Sequence, residues 1–221
     1  MSMLGIYPHT YKSLPYQPEV DLTPVSMGAT FDAAFAVGPG VPADVKTIPQ
    51  FMAWAKANPQ SANFGSPALG STLHFLGVEL SRSAGVGLTH VGYRGTVAAM
   101  PDLLSGQLPS MISPVGEFLR YVPEGRVRVL GTSGLKRNPF TPNVPTFAEQ
   151  GYKDVSLTEW YGFYLPAKTS PATVKALNAA LQQVLVQPQL KETLDTFGMT
   201  AAPSTPEALA QRAKANGVEL W

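Results

Sequence analysis

Cysteine is absent from the 221 residues, which excludes a disulfide scaffold, a thiolate nucleophile and any zinc site built on sulfur. Charge is scarce and balanced: Lys+Arg 16 against Asp+Glu 15, a net +1, gives no electrostatic footprint for nucleic acid or an anionic membrane surface. The three histidines, His9, His74 and His90, form no H-x-x-x-H metal pair. No long apolar run exists. Stretches such as Ala33–Val37 fall far short of the ~20 residues that a membrane span needs. The opening MSMLGIYPHTYK has neither the basic start nor the apolar centre of a signal peptide. A G-x-S-x-G nucleophile elbow is missing too, because Gly131-Thr132-Ser133-Gly134 has the wrong spacing. Internal repeats and low-complexity tracts are not found. A binding module or a small enzyme remains.

What is present is a 44% hydrophobic chain, rich enough for a core and long enough for one large domain or two small ones. Its 21 prolines and 20 glycines are spread along the sequence and punctuate many short elements. The first residues, up to Thr23, carry Pro8, Pro15 and Pro18 and read as an extended segment. Val25–Val37 suits a strand interrupted near Gly28. Ile48, Phe51, Met52 and Ala55 recur at helical spacing, and that helix stops before Pro59. Strands are then expected at Ala62–Gly65, Leu88–Val91, Leu108–Ile112 and Val127–Leu130. Helices should carry Leu73, Leu76 and Leu80, then Gly95–Leu104, then Val115–Tyr121. This alternation predicts βαβ units, a mainly parallel sheet and the α/β class. Residues 135–155 read as a loop with one helical turn at Thr146–Gln150, and Leu157–Leu165 as a long aromatic strand. Ser170-Pro171 opens a helix striped by Val174, Leu177, Leu181, Val184 and Leu185, and Thr205 caps a last one.

Two loops draw the chemical reading. Gly65-Ser66-Pro67-Ala68-Leu69-Gly70-Ser71-Thr72 matches P-loop spacing, but Ser71 stands where the phosphate-binding lysine belongs, so a nucleotide hydrolase is disfavoured. The geometry that survives is a glycine-rich turn from strand to helix, whose amides suit an anion, with the Ser71 and Thr72 hydroxyls beside them. The plainer use of Ser71 and Thr72 is to cap the helix. His74, within a turn of Ser71, suggests a Ser–His pair, although packing near the loop is its simpler use. The second loop, Gly92-Tyr93-Arg94-Gly95-Thr96, again feeds a strand into a helix, so both could face one cleft beyond the strand ends. Arg94 suits an anion or plain exposure. Glu159, beside Trp160, suits a hydrogen-bonded structural role. No catalytic set emerges.

The segments GSPALGSTLHFLGVEL, HVGYRGTVAAMPDLLSGQ, RVLGTSGLKRNPFTPNVPTFAEQGY and EWYGFYLPAKTSPATVKALNAAL, with the opening IYPHTYKSLPYQPEVDLTPVS, resemble in order and spacing the Bug (TctC-like) family. Its members are extracytoplasmic substrate-binding proteins of tripartite tricarboxylate transporters. The resemblance implies a type II periplasmic-binding-protein fold with two α/β lobes, no catalysis and no cofactor. It implies a small carboxylate held by amides, hydroxyls and waters, and transporter membrane subunits as partners. Ser71 and Thr72 correspond to the family's "GSxxH" motif, and Tyr93 and Gly95 to "Y+G" with Arg94 as the basic member. Ser66 and Gly70 share the first loop, so the ligand-binding candidates are Ser66, Gly70, Ser71, Thr72, Tyr93, Arg94 and Gly95. The family's usual signal peptide, first strand and P-G-G loop are not in this sequence, and members continue a little beyond Trp221. The expectation is therefore a remnant of the first lobe at 1–30, a complete second lobe at 31–156 and a return to the first lobe at 157–221. An incomplete lobe would expose apolar surface and favour a homodimer. A small phosphate- or acyl-binding transferase and a shortened chain that binds nothing are the alternatives.

Overall fold

The computed structural model describes residues 2–218, with side chains to 215. Trp221 lies outside them. The chain forms two compact units, Asp32–Thr158 and the residues up to Phe31 together with those from Glu159 onward.

The second of these opens with short helical turns, α1 (Ser2–Gly5), α2 (Tyr7–Thr10) and α3 (Pro18–Asp21). An extended opening was expected from its prolines. Pro8 and Pro18 instead sit in the first positions of their turns, where a missing amide hydrogen costs nothing. Strand β1 (Leu22–Val37) then runs without a break through Gly28. The glycine is there for space, since a Cβ would meet the Phe163 ring at 2.7 Å. At the far end of the chain come β6 (Thr158–Pro166), α7 (Pro171–Val184), α8 (Pro188–Thr196), β7 (Thr200–Ala201) and α9 (Pro206–Val218). In this unit β1 pairs with β6 and, antiparallel, with β7. Ser170 caps α7 by accepting from the Thr173 amide, and Thr205 accepts from Ala208 at the start of α9. Helix α8 and strand β7 were not legible in the sequence. The α7 stripe is half-buried at Val174, Leu177 and Leu181, buried at Leu185 and open at Val184.

The Asp32–Thr158 unit holds α4 (Ile48–Ala57), β2 (Asn63–Ser66), α5 (Thr72–Ser83), β3 (Thr89–Gly92), α6 (Thr96–Ser105), β4 (Ser110–Pro114) and β5 (Arg128–Thr132). Helix α4 starts at a capping box in which Thr47 and Gln50 each satisfy the other's backbone amide. The strand order is β3-β2-β4-β1-β5. Strands β2, β3 and β4 are parallel, whereas β1 runs antiparallel to both β4 and β5. The expected mainly parallel sheet is thus a mixed one. β1 is no member of a βαβ unit, so no crossover fixes its direction. Val115–Tyr121 was expected to be a helix. It holds only the 3-10 turn Val115–Glu117, closed by the Phe118 amide on the Val115 carbonyl.

Side-chain alternation puts two cores on the two faces of this sheet. Phe35, Phe64, Ile112 and Leu130 join Phe51 of α4 and Leu73, Leu76 and Leu80 of α5 on one face. Ala34, Ala36 and Met111 join Ala99, Met100 and Leu103 of α6 on the other. Each such side chain, fully buried, contributes about 1.5–3 kcal/mol for the larger residues. The packing holds α5 and α6 with their N-termini at the carboxyl ends of β2 and β3.

Candidate functional site

The β2–α5 loop begins at Ser66, which is fully buried, and ends at Ser71, the N-cap of α5. The Ser71 hydroxyl accepts from the His74 amide at 3.3 Å and donates to the Ala68 carbonyl at 2.8 Å. Capping is therefore a real part of its work. Thr72, 2% exposed, follows as the first helical residue. Beyond β3, the Tyr93 amide donates to the Ser66 carbonyl at 3.0 Å and the Gly95 amide to the Pro67 carbonyl at 2.8 Å. These two bonds lock the loops side by side. A carboxyl end of one strand, the next strand's end and two helix N-termini thus share one edge of the sheet.

The amides divide into used and unused. Those of Gly70, Tyr93 and Gly95 are spent within the loops, Gly70 on the His74 Nδ1 at 3.1 Å. Gly95 is the N-cap of α6 with φ +94, a conformation side chains resist, and no side chain caps that helix. The first amides of α6 accordingly lie uncapped at its positive end. Tyr93 donates its hydroxyl to Asp102 Oδ2 at 2.8 Å. Burial, that hydrogen bond and the Asp102 charge push its phenol up to about 12. The tyrosine is a neutral, committed donor. Arg94 is exposed, and among the described residues it is paired with no carboxylate. Leu69 and Val97, 67% and 83% exposed, give the loops an apolar rim.

Sequence reasoning missed the partners beneath these loops. The Ser–His pair is Ser66 Oγ with His90 Nε2, 2.7 Å apart, and the rings of His74 and His90 stack with centroids 3.8 Å apart. Thr96, the first residue of α6, shares a 2.7 Å hydroxyl bond with Ser113 of β4, both buried. Thr132, across Ala34 from Ser113 in the sheet, carries a buried hydroxyl without a partner among the described residues. Asp32 accepts from Asn138 Nδ2 and Thr158 Oγ1, each at 2.9 Å. One clue was present, since Asp32 is the only charge in the apolar run that became β1. The other contacts join residues far apart in sequence. Glu159 is 4% exposed beside the buried Trp160. Among the described residues no group of three or more His, Asp or Glu side chains converges as metal ligands.

The model of the tripartite tricarboxylate transporter family receptor, TctC, matches residues 1–215. The chain belongs to the TctC family. A relative from Pseudomonas sp. (strain P51), described as the UPF0065 protein in the tcbD-tcbE intergenic region, is 35% identical over 96% of this chain and 62% of its own length. Protein BugT of Bordetella pertussis is 29% identical over 88% of this chain and 59% of its own. The chain thus spans about 60% of the length of these curated relatives. Among solved structures, one titled as a periplasmic transporter aligns with TM-score 0.91 and 28% identity, covering 99% of this chain and 73% of that one. The periplasmic binding protein BugD aligns with TM-score 0.88 and 26% identity over 98% and 73%. The fold of this TctC chain is that of a periplasmic binding protein, and the family consists of solute-binding receptors.

Proposed function

We propose that this chain captures a small carboxylate outside the cytoplasm for a tripartite tricarboxylate-type transporter, and that it binds its ligand without transforming it. The observation that carries this is the locked pair of loops. Tyr93 and Gly95 are tied to Ser66 and Pro67, so the N-termini of α5 and α6 stand at one edge with α6 uncapped. Such ends stabilise a negative charge by about 0.3–1 kcal/mol each at the surface, and their amides reach both oxygens of a carboxylate. Ser66, Gly70, Ser71, Thr72, Tyr93, Arg94 and Gly95 form or shape the site. The hydroxyl of Thr72 and the guanidinium of Arg94 are direct contacts, and the spent amides of Gly70, Tyr93 and Gly95 hold the frame. The family name supports the transporter's membrane subunits as recipients. A second copy of the chain is the proposed cover for the open edge of the α7 stripe at Val184.

Calorimetry with paired acids and amides is the test. A carboxylate should bind in preference to its amide, and Thr72→Ala should weaken it by about 1–2 kcal/mol, the worth of one hydroxyl bond to a charged group. Thr72→Ser keeps the donor and should cost less. Equal affinity for an acid and its amide would refute the proposal.

A further inference from the structure

We propose that the stacked His74–His90 pair is a positioning device for the β2–α5 loop, and that carboxylate capture requires both rings neutral, so acid releases the ligand. The capture half rests on the carboxylate function proposed above. The positioning half rests on contacts within the Asp32–Thr158 unit alone.

His74 Nδ1 accepts the Gly70 amide at 3.1 Å, which fixes that ring as the neutral tautomer with its proton on Nε2. A proton added to Nδ1 would set N–H against N–H, and the Gly70 amide would have to turn away. Gly70 adjoins the Ser71 cap and Thr72, so the turn is felt at the helix end. His90 Nε2 meets the Ser66 hydroxyl at 2.7 Å, and the Ser66 carbonyl receives the Tyr93 amide. The pair therefore reaches into both loops. Ring centroids 3.8 Å apart leave no distance between two imidazolium charges, and Phe64 lies against both rings, with centroids at 6.5 Å from His74 and 5.0 Å from His90.

Among the described residues of α5, β2, β3 and the loop after β3, nothing is placed to offset a charge. On α5 the other ionisable groups are Glu79 and Arg82, exposed and paired with each other at 3.0 Å. After β3, Arg94 adds positive charge and is exposed, while Tyr93 is neutral and bound to Asp102. β2 carries no ionisable side chain, and β3 none besides His90. Burial lowers both rings, and the His74 charge lowers His90 further, to about 4.

The test follows the Gly70 amide and the ring nitrogens of the whole chain by NMR from about pH 7.5 to about pH 4, with succinate as the probe. The comparison is H74N, whose side-chain oxygen can accept from Gly70 but does not titrate. In the original chain the Gly70 amide should move with the ring titration, and in H74N it should stay still. Succinate affinity should fall between those limits about tenfold further in the original chain than in H74N, in which His90 and succinate still titrate but His74 does not. A Gly70 amide unmoved while the rings titrate overturns the positioning device, whatever the ligand does. A Gly70 amide that titrates while succinate perturbs no loop amide at any pH overturns capture, and the carboxylate function with it, but supports positioning. Equal losses of affinity in the two chains overturn the acid release.

Discussion

The bond between Thr96 and Ser113 can be weighed quantitatively. It seats the first residue of α6 on β4 through two hydroxyls 2.7 Å apart, Thr96 8% exposed and Ser113 not at all. Among the described residues neither oxygen has another partner. Thr96→Val keeps the branched shape and leaves the Ser113 hydroxyl buried and alone. Ser113→Ala does the reverse. A buried hydroxyl stripped of its partner costs about 1–3 kcal/mol, so each single change should destabilise by about 2 kcal/mol. In a chain of this length that is a fall of about 4–8 °C in Tm. Removing both groups leaves no unsatisfied atom, and the double variant should lose less than either single one. The cycle run by thermal and urea unfolding should therefore give a coupling of at least about 2 kcal/mol. Additive losses would refute the bond as the element that fixes the α6 end. The same variants bear on capture, because the uncapped amides of α6 move with Thr96.

Gly95→Ala should cost about 1–2 kcal/mol in urea unfolding and weaken carboxylate binding, because φ +94 is strained for any side chain. Thr47→Ala removes a capping box and should lower stability by about 1 kcal/mol while leaving carboxylate affinity unchanged. Stability should also depend on pH through His90. Its folded value of about 4 lies below the unfolded ~6.5, so the unfolded chain binds more protons between the two. The His90 contribution is thus complete above pH ~6.5, is lost as the pH falls toward ~4, and should disappear from melts of a His90→Asn variant. Light scattering at micromolar concentration should show a dimer that Val184→Lys dissociates.

The sequence by itself determined the local architecture of Asp32–Thr158 except at Val115–Tyr121. Alternating hydrophobic periods placed α4, β2, α5, β3 and α6 within a few residues, because such periods answer directly to a sheet face or a helix stripe. Capping residues were equally legible: Ser71, Ser170 and Thr205 act on amides three positions away. The two candidate loops drew attention because glycine at a strand-to-helix turn is a local signal, and the family resemblance then named the seven candidates within them. Only the tertiary structure decided which of their amides are spent. The Gly95 amide is spent on Pro67, 28 positions back, and Ser66 finds His90, 24 positions on. The direction of β1 was decided there too, since a strand outside a βαβ unit carries no mark of its partners. Neither hydrophobic period nor capping rule specifies which distant strands lie side by side, and that adjacency sets both the used amides and the stacked histidines beneath them.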